Sequence, residues 1–342
     1  MNNKRILLTG ITGFLGAHTA IRLLNKGYAV VGTLRNSERI NSIREVIGRH
    51  TANSSRLSFA EADLNDGAIW PRLTKNIDYV QHIASPFPRT LPKHESDLLL
   101  PAKEGTLHIL KAAAANNVKR VVMVSSLAAV IYGKSKSDLD KVFNEKDWTD
   151  ETCKKDTTPY IRSKAITEKA AWDFIRQNNS GLELTTILPG AILGSVLESD
   201  FGTSANIVIK ILDGSSPALP KIGFDIVDVR SVADLLIKAM EMPQAAGKRY
   251  IASSGYLTFK EIAFILKREY PGRKIATAEL PNFATRLFSI VETSLKPILM
   301  DLGVKRKTDI SKAEKELGWY PLSPQEAVTT CAKSVFDNGI VK

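Results

Sequence analysis

Thr9-Gly10-Ile11-Thr12-Gly13-Phe14-Leu15-Gly16 is the stretch on which the reading of this chain turns. It follows a short apolar run, Arg5–Thr9, and opens a helical pattern over residues 16–26. Glycines spaced G-x-x-G-x-x-G between a strand and a helix allow a tight turn and let backbone N–H groups approach a pyrophosphate closely. The helix N-terminus adds partial positive charge where such an anion would sit. Gly10, Thr12, Gly13, Phe14, Leu15 and Gly16 are therefore the residues expected along the phosphates of a dinucleotide.

Outward from that turn, short apolar runs alternate with helical patterns. Strands are predicted at residues 29–33, 57–61, 79–83, 120–124 and 183–188, and helices at 104–116 and 160–177. Alternation of this kind argues for a parallel sheet with crossover helices, and strands covered on both faces read as nearly continuous apolar runs. Residues 190–223 are rich in glycine, serine and proline and read as loops around a pocket. A helix is predicted at 231–242 and a returning strand at 249–252, after which short helices are broken by prolines. The expectation is an α/β chain: a Rossmann-type, doubly wound parallel sheet with a smaller, mostly helical C-terminal substrate lobe. Residues 1–188 and roughly 224–253 are assigned to the dinucleotide-binding domain, and 189–223 and 254–342 to the substrate-binding lobe.

Composition narrows the functional classes. The chain has 342 residues, a net charge of +11 and two cysteines. Its lysines and arginines are scattered among acids without aromatic interleaving, so the charge reads as solvated surface and not as a nucleic-acid interface. No apolar run is long enough for a membrane span. Lys4 and Arg5 precede an apolar stretch as in a secretion signal, but Gly10, Gly13 and Gly16 punctuate it, and strand-turn-helix explains it better. Cys153 and Cys331 match no metal or redox spacing and suit a reducing compartment. The histidines show no paired ligand spacing, so no metal is expected. A cytoplasmic monomer or homodimer acting on a small molecule is the reading.

The end of the second strand bears on the cofactor. An acid there would bond the ribose hydroxyls and repel a 2′-phosphate. This chain has Thr33-Leu34-Arg35-Asn36, with Arg39 nearby, and arginine presents a planar fork of donors suited to phosphate. NADP(H) is expected, held in part by Arg35. Asp63-Leu64, after the third strand, is placed to contact the adenine, although an aspartate at a loop start also serves as a cap.

Tyr160 and Lys164 are four residues apart on a predicted helix and so share a face. A nearby ammonium would lower the phenol's pKa toward the working range, and the same lysine can grip ribose hydroxyls. Ser125-Ser126 lie at the end of the fifth strand, where a hydroxyl can steady a developing oxyanion beside Tyr160. Spacing alone does not choose between the two serines. The constellation suits hydride transfer to a carbonyl, with Tyr160 supplying the proton.

These residues resemble the extended short-chain dehydrogenase/reductase family. The closer likeness is to its branch of dihydroflavonol reductases and NADPH-dependent aldehyde or methylglyoxal reductases. The likeness is carried by Thr9–Gly16, Thr33-Leu34-Arg35, Asp63-Leu64, residues 82–87, residues 101–106, Ser125-Ser126, residues 160–164, residues 189–192, residues 227–233 and residues 317–321. It implies Ser126, followed by Leu127-Ala128-Ala129, as catalytic serine, with Tyr160 and Lys164. It also implies that Ala84 and Ser85 lie along the cofactor, that Pro189 and Ile192 pass beside the nicotinamide, and that hydride leaves the pro-S face. Substrate choice in the branch is set by loops, here 86–91, 131–147 and 193–223, with Phe87, Tyr132 and Phe201 as candidate apolar walls.

Rival readings are an NAD-retaining nucleotide-sugar epimerase or dehydratase, a hydroxysteroid-type dehydrogenase, and a non-catalytic NADP sensor. Arg35 and Leu127-Ala128 count against the first, since the common dehydratases place an acidic pair after the active-site hydroxyl. The Tyr160 and Lys164 pair counts against the last.

Overall fold

Ile6, Leu7 and Leu8 are wholly buried in strand β1 (Arg5–Thr9), and the two faces of the sheet divide them. Ile6 and Leu8 join the core under one helical layer, Leu7 the core under the other. The structure, a computed structural model, describes residues 4–86, 94–199, 201–215, 217–290 and 293–342. After β1 come α1 (Phe14–Asn25), β2 (Ala29–Leu34), α2 (Ile40–Gly48), β3 (Leu57–Glu61), α3 (Trp70–Leu73) and β4 (Tyr79–His82). Then follow α4 (Ser96–Ala115), β5 (Arg120–Val124), β6 (Val142–Phe143), α5 (Pro159–Gln177), β7 (Glu183–Pro189), β8 (Ala191–Leu193) and α6 (Ala205–Leu212). The chain continues with β9 (Gly223–Asp228), α7 (Val229–Glu241), β10 (Lys248–Ala252), β11 (Gly255–Thr258) and α8 (Phe259–Glu269). It ends with α9 (Asn282–Phe288), β12 (Lys307–Thr308), α10 (Ser311–Leu317) and α11 (Pro324–Asp337).

Seven parallel strands form the main sheet in the order β10-β7-β5-β4-β1-β2-β3. Helices α1 and α7 pack against each other on one face, and α4 and α5 on the other. This is the doubly wound Rossmann arrangement expected from the alternation. Strand order reverses at β1 and β4, and in open sheets of this type the ligand crevice lies beyond the carboxyl ends of the strands at that point. A buried charge in β5 has a structural explanation. Arg120 pairs with Glu183 at 2.7 Å and donates to the carbonyls of Ala239 and Met242, each at 2.7 Å, at the end of α7.

The structure departs from the sequence reading in three places. Helix α4 begins at Ser96, not at 104, and runs through Pro101. The ring removes a single backbone donor, which a twenty-residue helix tolerates. The stretch 190–223, read as loops, contains β8 and α6. Residues 223–228, for which no strand was predicted, form β9, which pairs with β8 and β11 in a separate three-stranded sheet. Helix α7 and strand β10, which follow it, do return to the main layer. A second apolar core gathers α6, α8 and α11 around Leu193, Ile226 and Leu257 of that small sheet. No helix among the described residues is long and apolar enough to cross a membrane.

Candidate active site

Gly10 takes a left-handed backbone conformation, φ +73°, which only glycine adopts freely. A Cβ there would also lie 3.0 Å from the Cα of Ala84. The loop after β4 is thus pressed onto the glycine turn. Helix α1 starts at Phe14, with Gly13 at its N-cap contributing no side-chain cap, so the turn leaves backbone donors for an anion. Leu15 and Gly16 are buried beneath it, while Thr12 and Phe14 are partly exposed.

A buried relay fixes that approach. The Thr9 hydroxyl oxygen accepts from the N–H groups of Ile83 and Ala84 at 3.1 and 3.0 Å. It lies 2.9 Å from His82 Nδ1, and His82 Nε2 lies 3.1 Å from the Thr106 hydroxyl, which donates to the Ala102 carbonyl. The chain of donors is satisfied with His82 neutral and its proton on Nε2. Burial drives the imidazole down to about 3, with Lys164 pushing the same way. Ala84 and Ser85, partly exposed at the end of this relay, open toward the crevice. Thr9 and Thr106 were quoted from sequence within longer motifs but given no role of their own, because a threonine in a strand and one in a helix carry no periodic signal.

At the far end of the crevice Arg35 is exposed just past β2. Arg39 is drawn away to Glu198, 2.7 Å distant. Asp63 Oδ1 accepts from the Asn65 N–H at 2.8 Å, so this carboxylate caps its turn as well as facing solvent. Leu64 is braced from behind by Gly105 of α4, where a Cβ would fall 2.8 Å from that of Leu64.

Helix α5 carries Tyr160 and Lys164. Thr158 caps it by accepting from the Ile161 N–H at 3.2 Å, and Pro159 occupies its first position, which places Tyr160 in the opening turn. Lys164 follows one turn later, its Nζ 5.8 Å from the Tyr160 ring centroid. Ser126 Oγ accepts from the Ala128 N–H at 3.1 Å and lies near enough to the phenol to favour its ionised form. Ser125 turns the other way and donates to Glu168 Oε2 at 2.7 Å. The two serines that spacing left equivalent are thus separated by what they face.

One expectation is corrected here. The phenol is not depressed by Lys164: burial pushes it up to about 12, and the nearby Ser126 hydroxyl opposes only part of that. The lysine is itself lowered to about 8 by burial, against the pull of Glu168. A phenol in this state is protonated at neutral pH.

Pro189 ends β7, buried, and Ile192 lies partly exposed in β8 against the main core. Tyr132 does not form a pocket wall. Its hydroxyl donates to Asp301 Oδ2 at 3.3 Å, and the Arg306 guanidinium covers its ring at 4.4 Å. Phe201 packs with the second core. Phe87, and the loop 86–91 beyond Pro86, lie outside the described residues.

Residues 6–252 match the NAD dependent epimerase/dehydratase family. The chain belongs to that family. Within it, the chain is 31% identical over 283 residues to the NADPH-dependent methylglyoxal reductase of Saccharomyces cerevisiae, covering 78% of this chain and 82% of that one. It is 30% identical over 290 residues to an anthocyanidin reductase of Vitis vinifera, covering 81% and 84% respectively. Among solved structures, it resembles yeast methylglyoxal/isovaleraldehyde reductase complexed with NADPH. That match has a TM-score of 0.82 and 26% identity over 98% of this chain and 100% of the other. These relatives lie in the extended short-chain branch that the motifs resemble.

Proposed function

We propose that this protein is an NADPH-dependent reductase that passes hydride to the carbonyl carbon of a small aldehyde or ketone, with Tyr160 donating the proton. The observation that carries the reading is the juxtaposition of the Ser126 hydroxyl with a protonated Tyr160, with Lys164 one turn further along the same helix. The named activity of the yeast relative, 31% identical, supports it.

The residues present fit the cofactor. Gly10, Thr12, Gly13, Phe14, Leu15 and Gly16 form an uncapped helix start for the pyrophosphate, and Arg35, exposed just past β2, would meet the 2′-phosphate. Asp63 and Leu64 would flank the adenine, Ala84 and Ser85 the ribose side, and Pro189 and Ile192 the nicotinamide. When bound, NADPH supplies the hydride. Ser126 holds the substrate oxygen next to the phenol, and Tyr160 releases its proton to that oxygen as negative charge develops. Lys164, one turn further along α5 and positively charged below about pH 8, would grip the ribose hydroxyls of the bound cofactor. Residues 189–223 and 254–342 supply the substrate-side wall. The two free thiols, Cys153 and Cys331, accord with a cytoplasmic protein.

The test is loss of reduced-nicotinamide absorbance with NADPH and with NADH over a panel of aldehydes, ketones and dicarbonyls. Turnover with NADPH preferred is the expected result. Turnover of none of them, or retention of tightly bound NAD by the purified protein, overturns the reading.

A further inference from the structure

Glu168 sits one turn beyond Lys164 on α5 and is wholly buried. Both its oxygens are saturated. Oε2 accepts from the Ser125 hydroxyl at 2.7 Å and from Arg249 Nη2 at 3.2 Å. Oε1 accepts from the Thr186 hydroxyl at 2.7 Å, from Arg249 Nε at 2.8 Å and from Trp172 Nε1 at 3.3 Å. Arg249 is held in turn: its Nη1 donates to the carbonyls of Glu145 and Asp147 at 2.6 and 2.8 Å, and its guanidinium stacks 3.6 Å from the Trp148 ring centroid. One carboxylate therefore ties the end of β5, the middle of β7, β10 and the loop before α5 to the helix that carries Tyr160 and Lys164.

A buried ion pair is seldom required for stability, since well-packed apolar residues of similar size often do as well. The position of this one is informative. It grips the residue next to Ser126 and lies one turn from Lys164, touching neither substrate nor cofactor region itself.

We propose that Glu168, braced by Arg249, is a positioning residue for the reaction centre: it sets the Ser125-Ser126 turn against Tyr160 and holds a buried anion one helical turn from Lys164. This rests on the reading of Ser126, Tyr160 and Lys164 given above. The charges around Lys164 are few. Tyr160 and Glu168 share its helix, His82 faces it from β4 and stays neutral, and Arg249 lies behind Glu168 on β10. On α4, Lys103 and Glu104 pair with each other at the surface, and Glu183 of β7 is taken by Arg120. The 3-10 turn at Leu127–Ala129 brings no charge. Glu168 is the one anion acting on Lys164 among these groups, so its removal lowers the pH at which the lysine loses its proton.

The experiment compares Glu168→Gln, Glu168→Asp and the parent enzyme by pH profile. Expected for Glu168→Gln is an alkaline limb of kcat displaced downward by about one pH unit, a several-fold loss of kcat at pH 8, and unchanged NADPH affinity at pH 6. Glu168→Asp, which keeps the charge, restores the limb. Should Glu168→Gln fail to fold, Glu168→Gln with Arg249→Met removes the stranded cation, and the limb still moves down because the nearer charge is the lost anion. A folded variant of either kind with its limb unmoved overturns the proposal. Labelling of Lys164 by an amine-reactive reagent across the same pH range, located by mass spectrometry, reads its titration without turnover. If the parent protein reduces no carbonyl, the reductase reading fails, while the labelling curve still decides the role of Glu168.

Discussion

Gly16 lies against Gly10 so closely that a Cβ on the first would fall 2.0 Å from the carbonyl oxygen of the second. The start of α1 and the strand end that feeds it thus leave no room for a side chain. Gly16→Ala must push the turn open, at a cost of about 1–3 kcal/mol from overpacking. The expected outcome is a lowered unfolding midpoint together with NADPH binding lost in fluorescence titration. Binding retained at parental strength would show that the turn does not hold the phosphates.

In the proposed reaction Tyr160 gives the proton and Ser126 holds the oxygen that receives it. Tyr160→Phe keeps the ring and its packing but removes the acid, and kcat should fall roughly 10²–10⁴-fold. Ser126→Ala should cost about 10²–10³-fold. Steady-state kinetics with NADPH binding measured in parallel separates loss of chemistry from loss of cofactor. Full activity in Tyr160→Phe would remove the phenol from its role.

Arg35 stands exposed beyond β2, and its nearest basic companion, Arg39, is engaged by Glu198. Arg35→Asp exchanges a phosphate donor for a carboxylate suited to ribose hydroxyls. The loss of a charged hydrogen bond, about 1.5–3 kcal/mol, corresponds to roughly 10–100-fold in the ratio of kcat/KM for NADPH over NADH. An unchanged ratio would assign the preference elsewhere.

His82 and His18 are held neutral by burial, at about 3 and about 4. In the unfolded chain both titrate near 6.5, so acid protonates the unfolded state first. Their contribution to stability is complete above about pH 6.5 and is lost as pH falls toward 4 and 3, with a slope approaching about 1.4 kcal/mol per pH unit for each. Urea unfolding at pH 7 and pH 5 measures this slope. His82→Gln should reduce it, and an unreduced slope would show that another group drives the acid loss.

Lys164 behaves in the opposite part of the scale. Its folded value of about 8 lies below the ordinary 10.5, so burying the ammonium costs stability at neutral pH, and the penalty shrinks as pH rises from 8 to 10.5. Lys164→Met should therefore raise the thermal midpoint at pH 7 by relieving up to ~3 kcal/mol, while turnover collapses. A midpoint that falls would contradict the burial cost.

Much of the fold was legible because its signals are local. The bounds of β1, β3 and β5 follow from short apolar runs, and Pro159 with Thr158 marks the start of α5. The small sheet was not legible. Its strands β8, β9 and β11 are brief and meet only after α6, α7 and β10 have intervened. Tyr132 looked like a pocket wall because nothing near it in sequence announces Arg306, the residue that covers it. Spacing alone left Ser125 and Ser126 equivalent and the resemblance pointed to Ser126, whereas the partner that holds Ser125, Glu168, lies on a different element. Glu168 itself, four residues past Lys164 on one helical face, was within reach of the same spacing argument that found the pair.

The backbone passes between the large and the small sheet at Pro189–Gly190, at Asp228–Val229 and at Ala252–Ser253, and these passages are laced together. Gly190 donates to the Ala252 carbonyl at 3.0 Å, and a Cβ on Gly190 would meet the Asp225 carbonyl oxygen at 2.3 Å. A swing of one sheet away from the other would have to bend three adjacent threads together and tear the bond joining two of them. Substrate traffic is then left to the peripheral segments, and evolution can retune what enters by rewriting those segments without disturbing the seam.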